Sequence, residues 1–138
     1  MNKEVSFLKE NNIESYVSFI KSVFDYNTNI ENVQKLIEKN NVLVILNQDK
    51  VIAAVILEEC FEAIKSQKYY RISYLGVLKE YRRMGYANRL FEEVEKLVNE
   101  NDIKYLELTS GNHRKAAHFF YQKNGFKVKD TTVFVKLY

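Results

Sequence analysis

The chain has 138 residues, 46% of them hydrophobic and 28% charged, and carries a net charge of +3. That length fits one domain, spanning residues 1–138, with a core that needs no staples. The lone cysteine, Cys60, excludes an intrachain disulfide and a cysteine-built zinc centre, so no metal is expected.

Basic and acidic residues are interleaved along the chain, which reads as a solvated surface. A nucleic-acid binder would show a basic stripe, so no nucleic-acid partner is expected. The longest apolar run, "VIAAVIL" from Val51, is too short to span a bilayer. The first residues hold no apolar core of signal-peptide length. A cytoplasmic location and no membrane partner are therefore expected.

In chain order, "VSFL" at Val5 is a short strand. Ile13, Tyr16, Val17, Ile20 and Phe24 recur at helical spacing. A second helix carries Ile30, Val33, Leu36 and Ile37, with Thr28 or Asn29 as its N-cap. "NVLVIL" and "KVIAAVIL" are two strands joined by a turn at "NQDK". "EECFEAIKSQKYY" continues one strand, turns and enters the next. In "YYRISYLGV", residues 69–77, Tyr70, Ile72 and Tyr74 share one face, and Arg71, Ser73 and Leu75 the other.

After a loop, Ala87, Leu90, Phe91, Val94, Leu97 and Val98 trace one helical stripe. "IKYLELTS" is a strand, and "HRKAAHFFYQKN" a helix ended by Gly125 as a left-handed cap. "FKVK" and "TTVFVKLY" close the chain as an antiparallel pair. The order is β α α β β β α β α β β, an α+β domain with a mixed, mostly antiparallel sheet and flanking helices.

The loop before the third helix, "GVLKEYRRMGYANRLF", concentrates chemistry. A helix N-terminus offers unpaired N–H groups and a positive dipole end. Gly85 lets the backbone approach an anion closely, Ala87 keeps the next turn slim, and Arg82 and Arg83 add positive potential. It is neither a Walker loop nor a dinucleotide fingerprint. Spacing alone leaves an anion site and a plain turn equally open.

"VLKEYRRMGYANRLF" resembles the acyl-coenzyme A loop of the GNAT N-acetyltransferase superfamily. Arg82, Gly85 and Ala87 fill its Arg/Gln-x-x-Gly-x-Gly/Ala pattern, with Val77 at the expected distance upstream. "RKAAHFFYQKNGF" resembles that family's second motif through Ala117, Phe120, Tyr121, Gly125 and Phe126. The chain departs from the pattern at Lys79, where proline is frequent, and at Arg114, where asparagine is frequent. It also departs at Ser73, where many members carry a glutamate.

The resemblance implies an acetyl-coenzyme A-dependent N-acetyltransferase acting on a primary amine in a ternary complex. The acceptor is a small molecule or, alternatively, a protein. A non-catalytic acyl-coenzyme A-binding module is the other reading, kept open by Ser73. The implied cofactor contacts are Leu75, Gly76, Val77, Arg82, Arg83, Met84, Gly85, Tyr86, Ala87, Arg114 and Ala117. Tyr121 is the implied acid for the leaving thiolate. Ser73, Glu107, Glu58 or Glu59 would hold a water that takes the amine's proton. His113 and His118 read as helix-end or surface groups. A monomer or a homodimer is expected.

Overall fold

Residues 3–138 are described in the computed structural model. Strand β1 (Val5–Phe7) leads through a 3-10 turn into helices α1 (Ile13–Phe24) and α2 (Ile30–Lys39). α1 buries Ile13, Tyr16, Phe19 and Ile20, the stripe its spacing dictates. It ends at Asp25, whose positive φ of 58° makes a left-handed cap. α2 opens on Asn29, whose side chain accepts from the Asn32 N–H at 2.8 Å.

β2 (Asn41–Asn47) and β3 (Lys50–Glu62) form an antiparallel hairpin. Asn47 pairs with Lys50, and the two residues between them, Gln48 and Asp49, hold φ of 49° and 69°. Positive φ at both positions marks a type I′ turn, whose twist matches the strands it joins. Residues 42–45 and 51–57 are buried continuously, so both faces of these strands are covered.

β4 (Gln67–Val77) pairs antiparallel with β3, and β5 (Leu106–Glu107) pairs parallel with β4. The sheet order is β1-β2-β3-β4-β5. A parallel pair needs a crossover, and α3 (Tyr86–Glu100) supplies it, burying Leu90, Phe91, Val94 and Leu97. The chain divides into two compact units, Met1–Leu108 and Thr109–Tyr138. The first holds the sheet and three helices; the second holds α4 (Lys115–Lys123).

Two expectations need correction. The strand read from "IKYLELTS" pairs only at Leu106–Glu107. The closing hairpin is not formed: residues 126–138 hold no helix or strand. Val133 and Phe134 are 71% and 91% exposed. That segment keeps a strand-like alternation, but a two-stranded ribbon is marginal alone. The second unit holds no further strand among its described residues to support one.

One core residue carries an unmet polar group. Tyr16 is 1% exposed, and its buried hydroxyl has no hydrogen-bond partner among the described residues. Burial pushes its pKa up from the ordinary 10.0, with Tyr74 adding to the shift. A raised folded pKa means the native state holds this proton more tightly than the unfolded chain. Its stability contribution is therefore complete below pH 10 and is lost as pH rises further. Tyr16→Phe is expected to match or exceed the parent by about 1 kcal/mol at neutral pH. Its margin should widen in melts above pH 10.

Candidate active site

β4 is irregular where function was read into it. Ala54 of β3 pairs with Gly76 and Ile56 with Ser73, so one β3 residue faces two on β4. This is a β-bulge at Tyr74 and Leu75, and Tyr74 takes a left-handed φ of 48°. The bulge ends the strict alternation expected for residues 69–77. Tyr70 and Ile72 are buried, but Tyr74, expected on the same face, is 43% exposed. Its ring packs edge-on against Phe24 at 5.1 Å and Tyr26 at 6.1 Å. Just beyond, a Cβ on Gly76 would lie 2.7 Å from Val23 and 2.8 Å from Phe24. Gly76 therefore lets the end of α1 sit tightly on the strand.

Among the described residues, two register pairs join β4 to β5: Tyr70 with Leu106 and Arg71 with Glu107. From Ile72 to its end, β4 has no β5 partner. The Leu78 N–H donates to the Ile52 carbonyl at 2.8 Å. Alternation in an antiparallel ladder then turns the Val77 N–H and C=O away from β3. Arg82 Nε donates to that Val77 carbonyl at 3.1 Å. The Arg82 side chain thus ties the loop back to the strand it leaves, a role its place in the sequence motif did not reveal.

The loop continues through a 3-10 turn, Lys79–Tyr81, to Arg83 at φ 64° and Gly85 at φ 84°. α3 starts at Tyr86, and no side chain caps it. Its first turn holds no acidic residue. The Arg89 N–H bonds the Gly85 carbonyl at 3.1 Å, so the N–H groups of Tyr86, Ala87 and Asn88 precede the helical ladder. The N–H groups of Arg83 and Gly85 likewise make no backbone hydrogen bond among the described residues. A Cβ built on Gly85 would meet nothing within 4 Å. The loop is therefore an exposed row of backbone donors at the positive end of a helix dipole.

Ser73 and Arg71 lie on one face of β4 before the bulge, opposite Ile56 and Glu58 of β3. Arg71 also faces Glu107 of β5, so Glu58, Arg71 and Glu107 form a cross-strand row. Arg71 Nε and Nη2 both meet Glu107 Oε2, each at 3.0 Å. That hydrogen bond is the main cause raising the Arg71 pKa. Arg71 was not among the residues singled out from the sequence, because its partner depends on β5 register. One other acidic candidate is engaged elsewhere: Glu59 pairs with Lys68 at 3.7 Å.

In the second unit, α4 ends in a Schellman motif. Gly125, at φ 92°, donates its N–H to the Gln122 carbonyl, and Phe126 donates to Tyr121. The Tyr121 and Phe126 rings meet at 6.0 Å, the apolar contact that accompanies this cap. The spacing of Tyr121, Gly125 and Phe126 thus has a local structural cause. Burial raises the Tyr121 pKa above 10.0, with Arg114 acting the other way. The phenol therefore holds its proton at neutral pH. Arg114 is the residue before the helix and offers no side-chain cap, and Ala117 is half-buried in the first turn.

The profile of the acetyltransferase (GNAT) family matches residues 7–126. The chain belongs to this family. Family members use acetyl-coenzyme A in general, and the motif residues named above fall inside the matched span. The fold is shared with an aminoglycoside antibiotic 6′-N-acetyltransferase of Acinetobacter baumannii, at 16% identity and a TM-score of 0.82. That match covers 99% of both chains. It is also shared with a ribosomal-protein-alanine N-acetyltransferase of Brucella melitensis, at 13% identity and a TM-score of 0.81. There the match covers 99% of this chain and 100% of that one.

A protein of Amsacta moorei entomopoxvirus, provisionally named a glycylpeptide N-tetradecanoyltransferase, is 25% identical over 109 residues. That match covers 74% of this chain and 36% of the viral protein, so the chain spans about a third of that relative's length.

Proposed function

We propose that the chain is an acetyl-coenzyme A-dependent N-acetyltransferase acting on a primary amine of a small molecule, by direct attack in a ternary complex. The observation that carries this is the uncapped start of α3, where Gly85 leaves room for a ligand beside the N–H groups that precede the helical ladder. Family membership supplies the chemistry such a donor row would serve. The unbroken family match over residues 7–126 supports one acetyltransferase domain across both units.

The N–H groups of residues 83–87 would hold the coenzyme's pyrophosphate, as backbone donors at a helix start hold phosphate elsewhere. Leu75, Gly76 and Val77 offer a strand edge to the pantetheine arm. The outward Val77 N–H would stabilise negative charge developing on the thioester oxygen. Arg114 and Ala117 complete the contacts carried over from the second motif.

The acceptor nitrogen loses a proton to water, which Ser73 and Glu107 on one sheet face can hold. The neutral nitrogen then bonds to the acetyl carbon, its second proton leaves through the same water, and the carbon–sulfur bond breaks. Tyr121 returns a proton to the thiolate. A small-molecule acceptor is supported by the fold shared with the aminoglycoside enzyme. The ribosomal-protein enzyme makes a protein acceptor the alternative. A reducing, cytoplasmic setting is part of the same reading.

Thiol release from acetyl-coenzyme A across a panel of amines tests this proposal. Release that depends on the amine is expected. Coenzyme binding with no amine-dependent release would instead make the chain a binding module.

A further inference from the structure

We propose that Tyr26 and Tyr74 form a docking corner for an aromatic ring, which makes the acceptor an arylalkylamine rather than a purely aliphatic amine. The inference rests on the acetyltransferase reading and deepens it by naming the acceptor class. Its starting point is a group of rings where the end of α1 meets β4. Phe24 closes α1, Tyr26 follows in the loop to α2, and Tyr74 stands in the β4 bulge. Tyr26 is 59% exposed and Tyr74 43% exposed. Single exposed apolar side chains are ordinary on a protein surface, whereas exposed rings in mutual contact mark a binding surface.

The corner has a fixed backing. Tyr16 and Phe19 stack at 6.1 Å, Phe19 meets Phe24 at 6.3 Å, and Phe24 meets Tyr74 at 5.1 Å. Tyr16 and Phe19 are buried. The series thus runs from the core to the surface and ends with Tyr74 against Tyr26 at 6.1 Å. Gly76 keeps α1 close to the strand, because a side chain there would strike Val23 and Phe24. Rings held in place this way lose little freedom when a ligand arrives. The planes of Tyr26 and Tyr74 stand 77° apart. A third ring can lie along one of them and meet the other edge-on, the two arrangements that aromatic pairs prefer.

Position and charge select the occupant. Tyr74 directly precedes Leu75–Val77, the strand edge proposed for the pantetheine arm. Three residues of strand span about 10 Å. A ring on the corner therefore needs only a short alkyl chain to bring its amine to the thioester. Asp25, between Phe24 and Tyr26, is already paired with Lys21 at 2.7 Å. The corner thus favours the neutral ring of the acceptor over its ammonium end.

The test uses full-length protein with carbon-13 in its tyrosine rings, titrated with and without coenzyme A. The probes are 2-phenylethylammonium and its saturated counterpart, 2-cyclohexylethylammonium. The Tyr26 and Tyr74 resonances are assigned by their loss in Tyr26→Phe and Tyr74→Phe. Both should shift saturably with the phenyl probe, which should bind about fivefold more tightly than the cyclohexyl probe. Tyr26→Ala should weaken the phenyl probe about tenfold, read on Tyr74, while Tyr26→Phe should keep it within about twofold because the ring remains. Coenzyme A affinity should stay within about twofold in both variants.

Unmoved tyrosine resonances, equal affinity for the two probes, or a Tyr26→Ala protein that binds the phenyl probe like the parent would overturn the proposal. Self-association in sedimentation that Tyr26→Ala abolishes would also overturn it, since a second copy would then occupy the corner. The readout needs no turnover, so a failed acetyltransferase reading appears separately, as absent coenzyme binding or absent thiol release.

Discussion

Gly85→Val is expected to weaken coenzyme A binding by about 100-fold, the scale of losing one or two hydrogen bonds to a charged group. Gly85 holds a φ of 84°, and its missing Cβ leaves a space that nothing in the protein fills within 4 Å. An isopropyl group there would occupy the ground a phosphate needs to reach the N–H groups of residues 83–88. The same substitution forces a β-branched residue into left-handed geometry, at a cost of about 1–2 kcal/mol in stability. The two effects separate with Gly85→Asn. Asparagine tolerates left-handed geometry, so stability should recover, but its Cβ still intrudes on the ligand. Calorimetric titration with coenzyme A, beside thermal melts, reads both. If Gly85→Asn binds like the parent, the glycine serves the turn alone.

Tyr121→Phe is expected to lower kcat by roughly 100-fold, within the range for loss of a positioned general acid. Affinity for acetyl-coenzyme A should stay within about threefold, because the ring is retained. The ring meets Phe126 at 6.0 Å and Phe120 at 5.8 Å, so phenylalanine keeps the packing behind the helix cap. Burial raises the Tyr121 pKa above 10.0, so the hydroxyl stays protonated as pH rises through 9. The parent should therefore show no fall in rate from this group between pH 7 and 9. An unaltered kcat in Tyr121→Phe would leave this residue with a packing role only.

The parts of the fold legible in the sequence were those decided locally. The α1 stripe, the Asn29 cap and the "NQDK" turn each depend on a few neighbouring residues. The loop was legible for the same reason: a glycine at a helix start is a local feature, and its motif carries the rest. What escaped was decided by register between distant segments. The bulge at Tyr74 has no glycine to announce it, and it appears only once β3 and β4 are aligned. Arg71 and Glu107 are 36 positions apart, and their pairing follows from a two-residue contact between strands.

The closing hairpin failed in the opposite sense. "TTVFVKLY" has strand-like alternation, but that pattern states a preference and supplies no partner. Arg82 was legible as a motif residue but not in its manner of acting. Its side chain bonds the Val77 carbonyl, which ties the start of the donor row to the end of the open strand.

The central claim is that backbone amides at the start of α3, with the edge of β4, receive the acyl carrier. The most direct measurement is a proton–nitrogen NMR titration of the labelled protein with coenzyme A. The largest shift changes should fall on the amides of residues 82–88 and 75–78, saturating together with a single dissociation constant. Saturable binding that leaves both of these segments unmoved, or no binding at millimolar coenzyme A, would contradict the account.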